Sequence, residues 1–129
     1  MNLNHFFKDY CRLFQNKIVI LDVDLADYLN VDVVQIAHAF VQLHPELRRL
    51  IEVKLTDREM KWLLQDRSEL KGYRPMIIEE IGINYLLANF HTKAANQLSI
   101  ALCRYMVEKL NSNGISFFDL LQQIKDKRL

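Results

Sequence analysis

Glycine and proline are scarce in this 129-residue chain, with three of the first and two of the second. That excludes a collagen-like repeat, a Gly/Pro-rich disordered segment and a loop-rich β fold. Cysteine is scarce as well: Cys11 and Cys103 stand far apart and in no metal-like spacing. A reduced, cytoplasmic protein follows from that usage, with a disulfide between the two left open. Long hydrophobic runs are missing. The apolar run IVIL at residues 18–21 is far short of the ~20 residues a membrane-spanning helix needs. The N-terminus has no charged region followed by an apolar one, so no signal peptide is read and no membrane partner is expected. An excess of one charge is missing too. Seventeen bases face sixteen acids, for a net charge of +1, so the overall charge indicates neither nucleic acid nor a membrane surface.

What is present is the composition of one globular domain over residues 1–129. Half the residues are hydrophobic and 26% are charged, enough for a real core. Leu3, Phe6, Phe7, Tyr10, Leu13 and Phe14 recur at helical spacing, which predicts a helix over residues 2–15 stopped by Asn16 and Lys17. IVIL reads as a buried strand. Asp22 or Asp24 can cap a helix running to about Leu29, and Asn30 suits a left-handed turn. Asp32 then caps a second helix over 33–43, which His44-Pro45 ends. Ile51, Val53 and Leu55 alternate with Glu52 and Lys54, the pattern of a half-buried strand. Thr56-x-x-Glu59 is a capping box opening a helix that fades near Arg67. Residues 76–78 read as a third strand, and helices follow over about 79–88 and 93–110. A last helix, with Phe117, Phe118, Leu120 and Leu121, is expected over 115–129 to help form a homodimer. The expected fold is α+β and mostly α: a winged helix-turn-helix-like hairpin with three short strands packed on C-terminal helices.

Four blocks of the sequence resemble one family. ILDVDLADYLNV places Asp22, Asp24, Leu25, Ala26 and Val31 as in the opening of the phage open-reading-frame-6 N-terminal domain, a relative of the KilA-N DNA-binding domains. VKLTDRE is similar to the next block through Val53, Leu55, Thr56 and Glu59. RPMIIEEIGINYLL matches the third through Pro75, Ile78, Glu80, Gly82 and Leu86. AANQLSIALCRYMV resembles the fourth through Ala95, Ile100, Leu102 and Arg104. Together they cover roughly residues 18–110. The resemblance implies a phage or mobile-element domain, found in antirepressors and regulators, that binds DNA. The chain departs from the pattern in two places. The basic cluster that closes the family's second helix is replaced by VQLHP, and Glu79 stands where the family has Thr.

Charge is unevenly spread. Residues 18–47 carry five acids and no Lys or Arg, for −5, whereas residues 48–74 carry eight bases against five acids, for +3. The helix-turn-helix stretch is thus the most acidic part of the chain and the segment after it the most basic. Acids near a duplex oppose binding over the ~8–10 Å that screening leaves. On the second helix, Val33, Ile36, Phe40 and Leu43 are expected to face the core. Gln35, His38, Ala39 and Gln42 are expected to face out. Gln can read adenine with two hydrogen bonds, although a solvated polar face is the more ordinary reading of these residues. Val34 and Val41 share a third side, expected as secondary core, with a dimer contact as the alternative. Arg48, Arg49, Lys54, Lys71 and Arg74 form a basic set that reads either as a wing gripping phosphates or as ordinary surface charge. Trp62 and Tyr73 lie nearby and could stack on bases, although the helical rhythm favours core packing for Trp62.

No chemistry-bearing motif emerges. None of His5, His38, His44 and His91 has a partner at ligand spacing, and no phosphate-cradling glycine loop or nucleophile elbow occurs. Glu79 and Glu80 point apart on a helix and make no shared dyad. No enzyme, metal or cofactor is expected. Two readings remain. One is a small regulator binding DNA through the second helix, with Arg48, Arg49, Lys71 and Arg74 on the backbone. The other is a protein-interaction module on the same fold, an antirepressor or other phage effector whose acidic stretch meets a host or phage protein.

Overall fold

A computed structural model describes residues 2–112. The chain order is α1 (Leu3–Tyr10), β1 (Cys11–Phe14), β2 (Lys17–Leu21), α2 (Asp22–Leu29), α3 (Val33–Val41), α4 (Pro45–Ile51), α5 (Asp57–Leu63), β3 (Ile77–Glu79), α6 (Glu80–Leu87) and α7 (Lys93–Ser112). A short 3-10 turn covers Ser68–Leu70. The fold is α+β and mostly helical, with one antiparallel sheet in the order β1-β2-β3. The helix and dimer contact expected at 115–129 lie outside the described residues.

The long first helix is corrected. It ends at Tyr10, and residues 11–14 form β1, which pairs with β2 in a two-residue hairpin. Gln15 and Asn16, the loop, both have positive φ, 49° and 64°. That pair of left-handed residues gives the turn whose twist matches the flanking strands. The helical rhythm persisted over Leu13 and Phe14 because an apolar pair at a strand's end can mimic the next helical turn.

The sheet is the middle layer. β2 is its central strand, and successive side chains leave it on opposite faces. Val19 and Leu21 join Phe14, Met60, Leu63 and Ile77 in a cluster under α5. Ile20 joins Ile78, Leu25, Ile36, Ile83, Leu86, Leu98 and Leu102 in the larger cluster among α2, α3, α6 and α7. Burial on both faces is why this strand reads as an unbroken apolar run rather than an alternating one. Truncating a fully buried residue such as Ile20 to Ala is expected to cost about 2–5 kcal/mol. Rings then tie α1 to its neighbours: Phe6 meets Tyr28 edge-on at 4.8 Å, and Phe7 meets Tyr105 at 5.3 Å.

The expected strand over 51–55 is also corrected. Pro45 does not merely end a helix; it opens another. It sits in the first turn of α4, where its missing N–H costs nothing, and His44 caps that helix by accepting from Glu46 N–H at 3.2 Å. Ile51 closes α4. After it the chain pairs with β3 through the Glu52–Ile78 bridge and the Val53 N–H bond to the Ile77 carbonyl at 2.8 Å. The three strands are therefore a hairpin before the α2–α3 pair plus β3, and no hairpin follows α3 among the described residues.

Candidate functional site

The α2–α3 pair forms as its residues dictate. Asn30 takes the left-handed conformation at φ 55°, and Asp32 caps α3 by accepting from Val34 N–H at 3.0 Å. The cap is reciprocal, because Gln35 Oε1 accepts from Asp32 N–H at 3.0 Å. Ile36 and Ala39 are the buried residues of α3. Val33, Phe40 and Leu43 are half-buried against the same core. Ala39 thus faces in, contrary to its expected place. Val34 and Val41 face out, 68% and 56% exposed, and are not secondary core.

Gln35, His38 and Gln42 do come together. With Val34, Ala39 and the α6–α7 turn residues Asn89 and Phe90 they line an open cleft of about 690 Å³. No Lys, Arg, Asp or Glu lines it. Gln35 is partly spent: its carbonyl oxygen serves the cap, which holds the amide in place and leaves its nitrogen as the free donor. Gln42 is exposed at the end of the helix, its side-chain amide making no hydrogen bond to the described residues, and His38 is exposed beside it. Asn89 and Phe90 were missed from sequence, where nothing connects a turn after residue 87 to a helix at 33–41.

The acids beside this pair are largely engaged. Asp24 forms a two-pronged ion pair with Arg67 at 2.8 and 3.0 Å, although 43 residues separate them. Asp22 is buried. It accepts from the Tyr73 hydroxyl at 2.6 Å and from Val23 N–H at 2.8 Å. Neither acid caps α2 as expected, since Leu21 is the cap residue and makes no side-chain cap bond. Instead the segment 67–73 is strapped across the start of α2. Desolvation, then the Asp22 bond, pushes the Tyr73 hydroxyl up to about 12.

The basic set is dispersed. Arg74 donates to Asp57 at 2.7 Å and to the Leu55 carbonyl at 2.8 Å. Lys54 pairs with Glu52 at 2.8 Å. Lys71 and Arg49 are exposed, and Arg48 is half-buried. Arg48 and Arg49 occupy the last turn of α4, so they ride on a helix directly after α3 and not on a wing. Trp62 is 57% exposed on α5, over Phe14 at 6.1 Å, rather than in the core.

Among the described residues no His, Cys, Asp and Glu cluster could hold a metal, and no helix is long and apolar enough to cross a membrane. Both cysteines are free, with Cys103 exposed and Cys11 half-buried. Burial first, then the charges of Glu80 and Asp24, push the Cys11 thiol up to about 12.

No family model matches the sequence, and no curated protein or solved structure matches it.

Proposed function

We propose that this chain is a small phage or mobile-element-type regulator that binds duplex DNA through the α2–α3 pair, a winged helix-turn-helix-like reader. The observation that carries the reading is the outward face of α3. It presents His38, Gln42 and the free amide nitrogen of Gln35 with no carboxylate among them. The main objection from sequence was the acidity of residues 18–47. It weakens because Asp24 is neutralised by Arg67 and the Asp32 carboxylate is turned onto the N-terminus of α3. In this reading α3 supplies base-edge contacts, and Arg48, Arg49 and Lys71 hold the phosphates. The loop after α5, which carries Lys71, takes the part of a wing in this reading. Three phosphate contacts give a slope of log affinity against log salt of about −2.7. Gln42→Ala and His38→Ala should relax sequence preference without changing that slope, and fluorescence anisotropy on labelled duplexes measures both.

A specific observation favours a second reading, a protein-interaction module on the same fold. Val34 and Val41 on α3 and Leu50 on α4 are all more than half exposed, and Phe90 rims the cleft. Aliphatic side chains around a charge-free cleft suit a protein surface better than a phosphate backbone. Under this reading Val34→Asp and Val41→Asp abolish capture of a phage or host protein, and DNA binding is absent even at low salt.

A further inference from the structure

Three arginines among the described residues are half-buried: Arg12, Arg48 and Arg67. Two of them are matched to acids. Arg12 donates to Asp66 at 2.7 Å and to the Leu63 carbonyl at 2.9 Å. Arg67 grips Asp24 and also bonds Glu69. Arg48 has no such partner. Its Nε is buried without a hydrogen-bond acceptor among the described residues. The residue as a whole stays partly exposed, which leaves its guanidinium end within reach of solvent. The stem is thus sunk into the protein while the fork looks out.

That arrangement is costly in the free protein. A guanidinium nitrogen removed from water without an acceptor forfeits its solvation, and a charge held half-buried without a counter-charge loses more. The negative end of α4 favours a cation there but supplies no acceptor for Nε. The gain lies in geometry. A guanidinium whose stem is already fixed gives up little freedom when it meets an anion, and its planar fork matches a phosphate with two parallel bonds.

We infer that Arg48 is a pre-set clamp for a backbone phosphodiester of duplex DNA. This rests on the DNA reading above. Arg49 follows it on the same last turn of α4 but is exposed, and it contributes a mobile charge rather than a fixed fork. The two neighbours should therefore behave differently. Arg48→Met removes the fork while keeping the stem. Arg48→Lys keeps the charge and loses the bidentate geometry.

The test combines anisotropy of a labelled duplex across a salt series with thermal unfolding of each variant. Arg48→Met is expected to weaken low-salt binding about tenfold and to flatten the salt slope by about 0.9. Arg48→Lys is expected to keep the slope yet bind more weakly than wild type. Arg49→Met is expected to flatten the slope with a smaller loss of affinity. Arg48→Met should melt at or above the wild-type temperature, because it removes an unpaired half-buried charge. A wild-type slope and affinity in Arg48→Met, with DNA bound by the wild type, would overturn the clamp and leave the DNA reading standing. A clear drop in melting temperature for Arg48→Met would also overturn it, making Arg48 a packing residue. Failure of the wild type to bind at low salt would remove the DNA reading and the clamp together.

Discussion

Gly82 gives the sharpest test of how α4 is seated. It lies in the first turns of α6, and a Cβ built there would sit 2.3 Å from Ile51 Cβ and 2.8 Å from Ile51 Cγ2. Ile51 Cα itself would be at 3.2 Å. Carbon pairs rest at about 3.5–4.0 Å, so the overlap exceeds an ångström. Ile51 is fully buried and cannot swing aside, so α4 must lift away from α6. Overpacking of this kind costs about 1–3 kcal/mol, and this overlap belongs at the upper end. The better helix propensity of Ala returns about 0.8–1.0 kcal/mol at most. Gly82→Ala should therefore lose about 1–2 kcal/mol net. In urea, with a slope of about 1–3 kcal/mol per molar, the midpoint should fall by roughly 1 M. Lifting α4 would also displace Arg48 and Arg49, so DNA affinity should drop in protein that remains folded. A midpoint at or above that of the wild type would mean that the two helices do not meet at Gly82, and the seating of α4 would be wrong.

Other consequences can be read the same way. Arg67→Met strands Asp24, and Asp24 and Arg67 are only 16% and 22% exposed, so about 1–3 kcal/mol of stability should be lost; adding Asp24→Leu should recover part of it, which a double-mutant cycle measures. Glu80 is raised above the usual carboxylate range by burial, an effect Lys109 opposes and Glu79 reinforces. Its ionised form therefore costs stability at neutral pH, and Glu80→Gln should raise the urea midpoint at pH 7 and lose that advantage below about pH 4. Asp66, held down chiefly by the Arg12 bond, Glu59 by the Thr56 backbone and side-chain bonds, and Glu69 by the Arg67 bond have the opposite sign. Their support is present above the ordinary carboxylate range and is lost as pH falls through their lowered values. Acid unfolding should therefore begin below about pH 4, and in that range with the same steepness in Glu80→Gln as in the wild type. Native protein should show one fast thiol towards a disulfide reagent at pH 8, Cys103, with Cys11 reacting only on unfolding, because its thiol is pushed up to about 12.

Much of the fold was legible because short-range chemistry decides it. Asn30, the Asp32 cap and the Thr56–Glu59 box each act within four residues, and each stands where the sequence puts it. Residues 18–21 and 76–78 read as strands and fall on β2 and β3 to within a residue. The errors arose where two patterns competed. The alternation of Ile51, Val53 and Leu55 looked like a strand, yet Pro45 and His44 had already opened α4, and Ile51 belongs to its buried face. Gln15-Asn16 between two apolar runs was the available signal for the hairpin, overridden by the helical spacing of the residues before it.

The candidate site was legible only in part. Gln35, His38 and Gln42 meet as helical spacing requires, but Phe90 and Asn89 reach them through the tertiary fold. The pairing of Asp24 with Arg67 and of Asp22 with Tyr73 joins positions 43 and 51 residues apart, so counting charge by segment overstated the free acidity of α2. The same counting overstated the free basicity beyond it, because Arg74 and Lys54 are each held by a nearby acid. Exposure of Val34, Val41 and Trp62 depends on what packs against them, which periodicity does not encode.

The most direct test of the central claim is fluorescence anisotropy of a labelled random duplex titrated with the wild-type protein, first at low salt and then across a salt series. The account predicts binding whose logarithm falls linearly with log salt, with a slope of about −2.7. No binding at the lowest salt would contradict it, and the charge-free cleft on α3 would then be a surface for a protein.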